Sequence, residues 1–244
     1  MKPQIQLATT QTPDGGEMTL HQHDVNFEIK INGQLLMSNR QHESELALAR
    51  LGCAHLTNRN APRVLIGGLG MGYTLRQTLD MVEEDAKVVI SELLAPLVDW
   101  NRDFLGELNR KPLDDKRAEV RIGDVLSLLI NSKKRFDAIL LDLDNGPSAI
   151  VDPGNDILYS QAGIEICRQA LRNRGCLAIW SAEPSSEFEQ LLMRGKFHVR
   201  RFMVPAYKAS KKKTRVIWVA SEDKTKLPPG RREPDLPKKK DRRR

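Results

Sequence analysis

The run RVLIGGLGMGYTLRQTL, Arg63 to Leu79, constrains this chain more than any other stretch. An apolar strand pattern gives way to Gly68, Gly70 and Gly72, and then to a segment compatible with a helix. Glycines permit positive φ and let a ligand approach the backbone, while free N–H groups opening the helix favour polar or anionic groups. Alone, G-x-G-x-G is a weak signal, because a turn that simply needs small residues looks the same. The next three apolar runs narrow the reading. KVVISEL, Lys87 to Leu93, is a second apolar run ending in Glu92, and an acid about 20 residues past such a loop is placed to accept both ribose hydroxyls of a nucleoside. A third run, EVRIGDVLSLL, carries Asp124, and a fourth, RFDAILLDLDNGP, carries Asp142. Four strands thus deliver a glycine loop or an acid at their C-terminal ends, where ligands bind in open α/β sheets. Taken singly, each acid reads equally as a helix N-cap or a solvated loop charge, Asp124 most of all.

Before the loop, VNFEIKI (Val25 to Ile31), the turn Asn32-Gly33 and QLLMS spell a β-hairpin, and His42 to Leu56 reads as a helix with Leu46, Ala49 and Cys53 on one face. After Asp142 comes a Gly/Pro/Asp-rich stretch, then a helix from about Gln161 to Arg174. A strand (CLAIWSA), a helix from about Ser185 to Gly195 and the runs FHVRRFMV and TRVIWVA complete the pattern. Alternating strands and helices imply a mostly parallel sheet, and the last two runs, joined by a short basic loop, imply an antiparallel hairpin. The expected division is 1–60 (hairpin and helix), 61–221 (nucleoside-binding α/β domain) and 222–244 (a disordered basic tail).

The 244 residues suit one α/β core with additions. No apolar run approaches the roughly 20 residues of a membrane span, and the N-terminal residues lack the apolar region of a secretory signal. The expectation is a cytoplasmic chain without membrane contact. Cys53, Cys167 and Cys176 lie in apolar stretches without metal spacing and read as buried thiols. His21 and His23 share a strand face but have no further ligand type nearby, so no metal site is expected. Ser221 to Arg244 holds ten Lys or Arg against five Asp or Glu, which accounts for +5 of the net charge of +7. Such a segment, proline-rich and without aromatics, is read as a solubilising terminus, with non-specific nucleic-acid contact as the alternative. A second basic cluster, Lys208 to Arg215, reads as an exposed hairpin tip with a binding loop as the alternative, and Trp180 and Trp218 read as core residues, with a ligand-facing Trp180 as the lesser reading.

With the glycine loop, Glu92, Asp124 and Asp142 in this order, the chain resembles the class I S-adenosylmethionine-dependent methyltransferase fold, and within it the spermidine synthase branch. The narrower resemblance rests on the hairpin and the Ser44-Glu45 helix, on IGG followed by TLRQ, on IGD at Asp124, and on LLDLDNGPSAIVDP followed by LYS. It implies a Rossmann-like fold with a mostly parallel sheet, a C-terminal antiparallel hairpin and an N-terminal β-hairpin segment. It further implies that Gly68, Gly70 and Gly72 cradle the donor's methionine moiety, that Glu92 holds the ribose, and that Asp124 and Val125 meet the adenine. Asp142 matches the first acid of the family's signature, which serves near the amine nucleophile; the second acid is displaced or replaced, and Asp144 is taken with Asp142 as a catalytic candidate. The chain departs from the family in two places. The loop GGLGMGY lacks the acid of the family's Gly-Gly-Gly-Asp-Gly-Gly, and Asp142-Leu143-Asp144-Asn145 lacks the hydroxyl residues of its Asp-Ser-(Ser/Thr)-Asp signature.

The expected function is transfer of a carbon group from the sulfonium of S-adenosylmethionine, or its decarboxylated form, to an amine. Methyl transfer is slightly favoured because the loop acid is absent, and aminopropyl transfer is the alternative. Asp142, Asp144, Asp152, Asp156 and Glu183 would attract a cationic acceptor, although Asp152, Asp156 and Glu183 also suit caps and turns beside Pro153, Gly154 and Pro184. A non-catalytic nucleoside-binding protein tethered to nucleic acid is a second class. A nicotinamide-dependent oxidoreductase is a third, weakened by the departure of GLGMGY from G-x-G-x-x-G. Oligomeric state, a homodimer included, is left open by the sequence.

Overall fold

The computed structural model describes residues 3–143, 155–208, 210 and 214–230. The N-terminal part is an antiparallel meander of β1 (Ile5–Gln11), β2 (Glu17–His23), β3 (Asn26–Ile31) and β4 (Gln34–Ser38). The expected hairpin is β3–β4, turning on Asn32 and Gly33 with φ of 50° and 78°, the pair of positive values that a tight two-residue hairpin demands. Strand β1 was not foreseen, and of β2 only the strand character at His21 and His23 was. Their turn signal, Pro13-Asp14-Gly15-Gly16, is plain, but in IQLATTQ the apolar/polar alternation breaks at Ala8 and gives way to three polar residues.

Helix α1 (Glu43–Cys53) leads to a seven-stranded sheet built from β5 (Arg63–Gly67), α2 (Tyr73–Met81), β6 (Lys87–Glu92), α3 (Ala95–Trp100), β7 (Ala118–Ile122), α4 (Val125–Ile130) and β8 (Phe136–Leu141). The later elements are α5 (Asn155–Leu158), α6 (Gln161–Ala170), β9 (Leu171–Ser181), α7 (Ser186–Arg194), β10 (His198–Val204) and β11 (Arg215–Ser221). The strand order is β10-β11-β9-β8-β5-β6-β7, with β11 antiparallel to both its neighbours and the remaining pairs parallel. This is the expected Rossmann-like sheet with an antiparallel C-terminal hairpin. The strand order reverses at β5 and β8, which opens a crevice at their C-terminal ends.

Parity along the strands sorts the core. Val64 and Ile66 of β5, with Val88 and Ile90 of β6, face Leu48 and Cys53 of α1 and Leu75 and Leu79 of α2. Leu65 and Val89 face the other way, toward Leu129 of α4, Ile164 and Cys167 of α6 and Leu192 of α7. Helix α6 stops at Ala170, short of the expected Arg174, because Leu171 already pairs with Phe136 at the start of β9. A third cluster joins the meander to the sheet domain: Met18, Leu20 and Ile29 bury against Met71, Leu97, Trp100 and Leu105. The meander is thereby fixed over the glycine loop.

The expected boundary after Ser221 needs correction. Residues 222–230 fold back along the sheet, where Asp223 caps a short turn at Lys224–Lys226, Leu227 is buried in the main core and Arg200 donates to the Pro228 carbonyl. One apolar residue in a charged, proline-rich run gives no periodic signal, which is why sequence pattern alone placed it in the tail. The rest of the expected tail lies outside the described residues. Among the described residues no helix is long and apolar enough to cross a membrane. All three cysteines are buried and unpaired, and burial pushes each thiol up to about 12.

Candidate active site

The glycine loop is tied to the strands on both sides. Gly68 N–H donates to the Ser91 carbonyl at 2.8 Å, and Asp142 N–H donates to the Gly67 carbonyl at 2.9 Å. At Gly68, φ is +89° and a Cβ would lie 2.3 Å from the Asp142 carbonyl oxygen, so no side chain fits where β5 meets β8. Gly72 caps α2 from a left-handed conformation, φ +82°. Two amides hold the outer carbonyls: Asn101 donates to Gly70 O at 2.8 Å and Asn109 to Met71 O at 2.6 Å. Neither asparagine carried a recognisable sequence signal. The loop is therefore a preformed cradle.

A cavity of about 470 Å³ opens on this cradle. Gly68, Gly70, Glu92, Asp124, Val125 and Asp142 all border it, so the structure brings these sequence-derived candidates together. Gly72 stands off the cavity wall and serves the loop as the cap of α2. Glu92, 6% exposed, spends both oxygens on backbone, accepting from Leu69 N–H at 2.8 Å and Leu94 N–H at 2.9 Å. Asp124 is the N-cap of α4, accepting from Leu126 and Ser127 N–H at 3.0 Å each, and it borders the cavity as well. The capping role and the ligand role are compatible because an ionised carboxylate has about four acceptor sites. Asp142 accepts the Thr74 hydroxyl at 2.5 Å, which ties the end of β8 to the start of α2.

Asp144 and Asp152 lie outside the described residues, and of Asp156 only its place in α5 is described. Glu183 does not border the cavity; its carbonyl accepts the Ser181 hydroxyl. Met71 is buried in the packing between meander and loop, whereas Tyr73 stacks on His42 with ring centroids 4.1 Å apart.

Two further cavity residues, Asp14 and Glu45, were not foreseen as such, and two more, Trp180 and Arg215, follow the lesser of their two readings. Asp14 reaches the rim from the β1–β2 turn, and the Thr12 hydroxyl on its carboxylate holds it below the usual carboxylate range. Glu45, in the first turn of α1, borders the cavity beside Tyr73; burial raises its carboxyl above the ordinary value despite the Ser44 hydroxyl at 2.6 Å. Burial, with the nearby Glu45 charge, also pushes the Tyr73 phenol up to about 12, so it remains protonated. Trp180, expected chiefly in the core, borders the cavity near the end of β9 and also packs against the core. Arg215, expected in an exposed basic loop, opens β11 and lies over the Trp180 ring at 5.9 Å. By contrast Trp218 is core, fully buried with its indole N–H on Glu189 at 2.8 Å.

The profile of the Spermine/spermidine synthase domain matches residues 47–211, more than half of the chain. A polyamine aminopropyltransferase of Saccharolobus solfataricus is 30% identical over 126 residues, which are 52% of this chain and 40% of that protein. Polyamine aminopropyltransferase 1 of Pseudomonas aeruginosa is 26% identical over 179 residues, 71% of this chain and 60% of its own length. The match thus spans about half the length of these curated relatives. A spermidine synthase solved with the transition-state analogue AdoDATO superposes with a TM-score of 0.71 at 20% identity, over 92% of this chain and 77% of that one. The spermidine synthase of Thermotoga maritima gives 0.69 at 20% identity, over 92% and 76%.

Proposed function

Because the chain belongs to the spermine/spermidine synthase family, we propose that it transfers an aminopropyl group from decarboxylated S-adenosylmethionine to an amine. The curated relatives named above are aminopropyltransferases, so the expectation of methyl transfer gives way to its alternative. The observation that carries the proposal is the charge of the cavity: among the described residues, Asp14, Glu45, Glu92, Asp124 and Asp142 border it against a single cation, Arg215. A cavity with that balance attracts a cationic donor and a cationic acceptor despite the basic net charge of the whole chain.

In this reading the glycine loop seats the donor's tail, Glu92 accepts the ribose hydroxyls with its remaining lone pairs, and Asp124 and Val125 flank the adenine. The sulfonium is already an activated leaving group. What the protein supplies is alignment and a place for a proton. The acceptor ammonium loses a proton to Asp142, the free amine nitrogen attacks the propyl carbon, the C–S bond breaks in line, and methylthioadenosine leaves. Thr74 fixes the orientation of the Asp142 carboxylate at the cavity edge. Asp144, outside the described residues, is assigned to the same task from its place in the sequence alone.

The test is to incubate the protein with decarboxylated S-adenosylmethionine and putrescine or spermidine, then follow methylthioadenosine and the extended amine by mass spectrometry. Both products are expected in equal amounts. Asp142→Asn should lower the rate at least about a hundredfold, the usual range for losing a proton acceptor, with methylthioadenosine affinity changed less than about threefold. Donor binding without release of methylthioadenosine to any amine would refute the transfer reading.

A further inference from the structure

Arg215 stands out in a cavity otherwise lined by acids. Its guanidinium lies over the Trp180 ring, and no ion pair joins it to Glu45 or to any other acid among the described residues. Glu45 in turn takes its hydrogen bond from Ser44, although the Arg215 charge is close enough to act on it. Two groups of opposite sign therefore border one cavity without pairing. A cation–π attraction at this distance does not consume the guanidinium N–H groups, which keep the planar fork that matches a carboxylate. A simple diamine would gain from Glu45 and Asp142 but be repelled by Arg215. A group carrying both signs satisfies all three.

We propose that Arg215 anchors a substrate carboxylate, so that the cavity receives an α-amino-acid end with its ammonium toward Glu45 and Asp142 and its carboxylate on Arg215. This rests on the transfer reading above and narrows its substrate class. In aminopropyl transfer from a decarboxylated donor, the molecule that carries such an end is the acceptor, an amino acid with a second, reacting amine; a carboxylate borne by the donor instead would put S-adenosylmethionine in its place and revise the transfer reading itself.

Calorimetric titration of ligand pairs that differ only by a carboxylate tests this and identifies the bearer. The pairs are S-adenosylmethionine against its decarboxylated form, and, with methylthioadenosine saturating, ornithine against putrescine and lysine against cadaverine. In the wild-type protein the carboxylated member of at least one pair should bind tenfold or more tighter. Arg215→Gln should abolish that advantage and Arg215→Lys should keep part of it. Methylthioadenosine, which lacks the amino-acid end, should bind all three proteins equally, which also reports that the variants fold. Wild-type protein that never prefers a carboxylated member, or a preference that survives Arg215→Gln, would overturn the proposal. Failure of methylthioadenosine to bind wild type would instead refute the nucleoside site on which it rests.

Discussion

Both oxygens of Glu92 accept backbone N–H groups, from Leu69 in the glycine loop and from Leu94 before α3, at a residue almost sealed from solvent. A ribose bound there would share a carboxylate that already holds the loop, so scaffold and ligand functions are coupled at one side chain. Glu92→Ala should orphan two buried donors at about 1–3 kcal/mol each, less what water recovers. The expected net loss is about 2 kcal/mol of unfolding free energy together with at least a tenfold weaker affinity for methylthioadenosine. Chemical denaturation and calorimetry on one preparation read both quantities. Lost stability at unchanged affinity would leave Glu92 a purely structural brace. Asp124 and Asp142 show the same economy: each fixes a helix start, through capping bonds in α4 and through Thr74 in α2, and each borders the cavity.

At the scale of elements, the strands and their alternation were legible because β5, β6 and β8 are buried on both faces and read as unbroken apolar runs. Glu92 and Asp142 were legible for the same reason, since one ends and the other follows such a run, whereas Asp124 comes after the half-exposed β7 and was marked by the Ile122-Gly123-Asp124 turn into α4. The cavity's far wall was not. Glu45, Trp180 and Arg215 meet only because α1, β9 and β11 pack together, and no spacing along the chain encodes that neighbourhood. Nor did sequence mark the opposite edge of the sheet, where Asp137 at the start of β8, 2% exposed, pairs with Arg59 at 2.6 Å and Arg172 at 2.8 Å and accepts Arg63 N–H at 2.9 Å. This acid joins the start of β5, the start of β9 and the segment after α1, far from the cavity. Asp137→Ala leaves the two half-exposed arginines free to rehydrate but strands the Arg63 donor, so the expected destabilisation is about 2 kcal/mol. Nucleoside affinity should be unchanged at temperatures where the variant is folded. A fall in affinity measured there would show that the two edges are coupled.

Across the whole molecule, ligand chemistry gathers at the C-terminal ends of the parallel strands and fastening at their N-terminal ends, with the length of a strand between them. The returning segment after β11 belongs to the second group. Asp223 pairs with Arg174 at 2.9 Å, the Lys226 carbonyl lies 3.6 Å from the Cys176 sulfur, and Leu227 is buried in the core; Arg174 and Cys176 belong to the early part of β9, whereas Trp180 near its end borders the cavity. Two truncations separate this fastening from the charged residues beyond it. Ending the chain after Gly230 removes no described contact, so the unfolding free energy should stay within about 0.5 kcal/mol of the full chain. Ending it after Glu222 exposes the core under Leu227, worth about 2 kcal/mol of burial, and frees the Arg174 and Arg200 partners, for an expected loss of about 2–4 kcal/mol. Neither truncation touches the cavity, so both proteins should bind methylthioadenosine as the full chain does when compared below their melting temperatures at one salt concentration. Equal stability of the two truncations would mean that Leu227 contributes nothing to the core. Weaker nucleoside binding after the cut at Gly230 would place residues 231–244 at the cavity and move the functional boundary of the chain to its end.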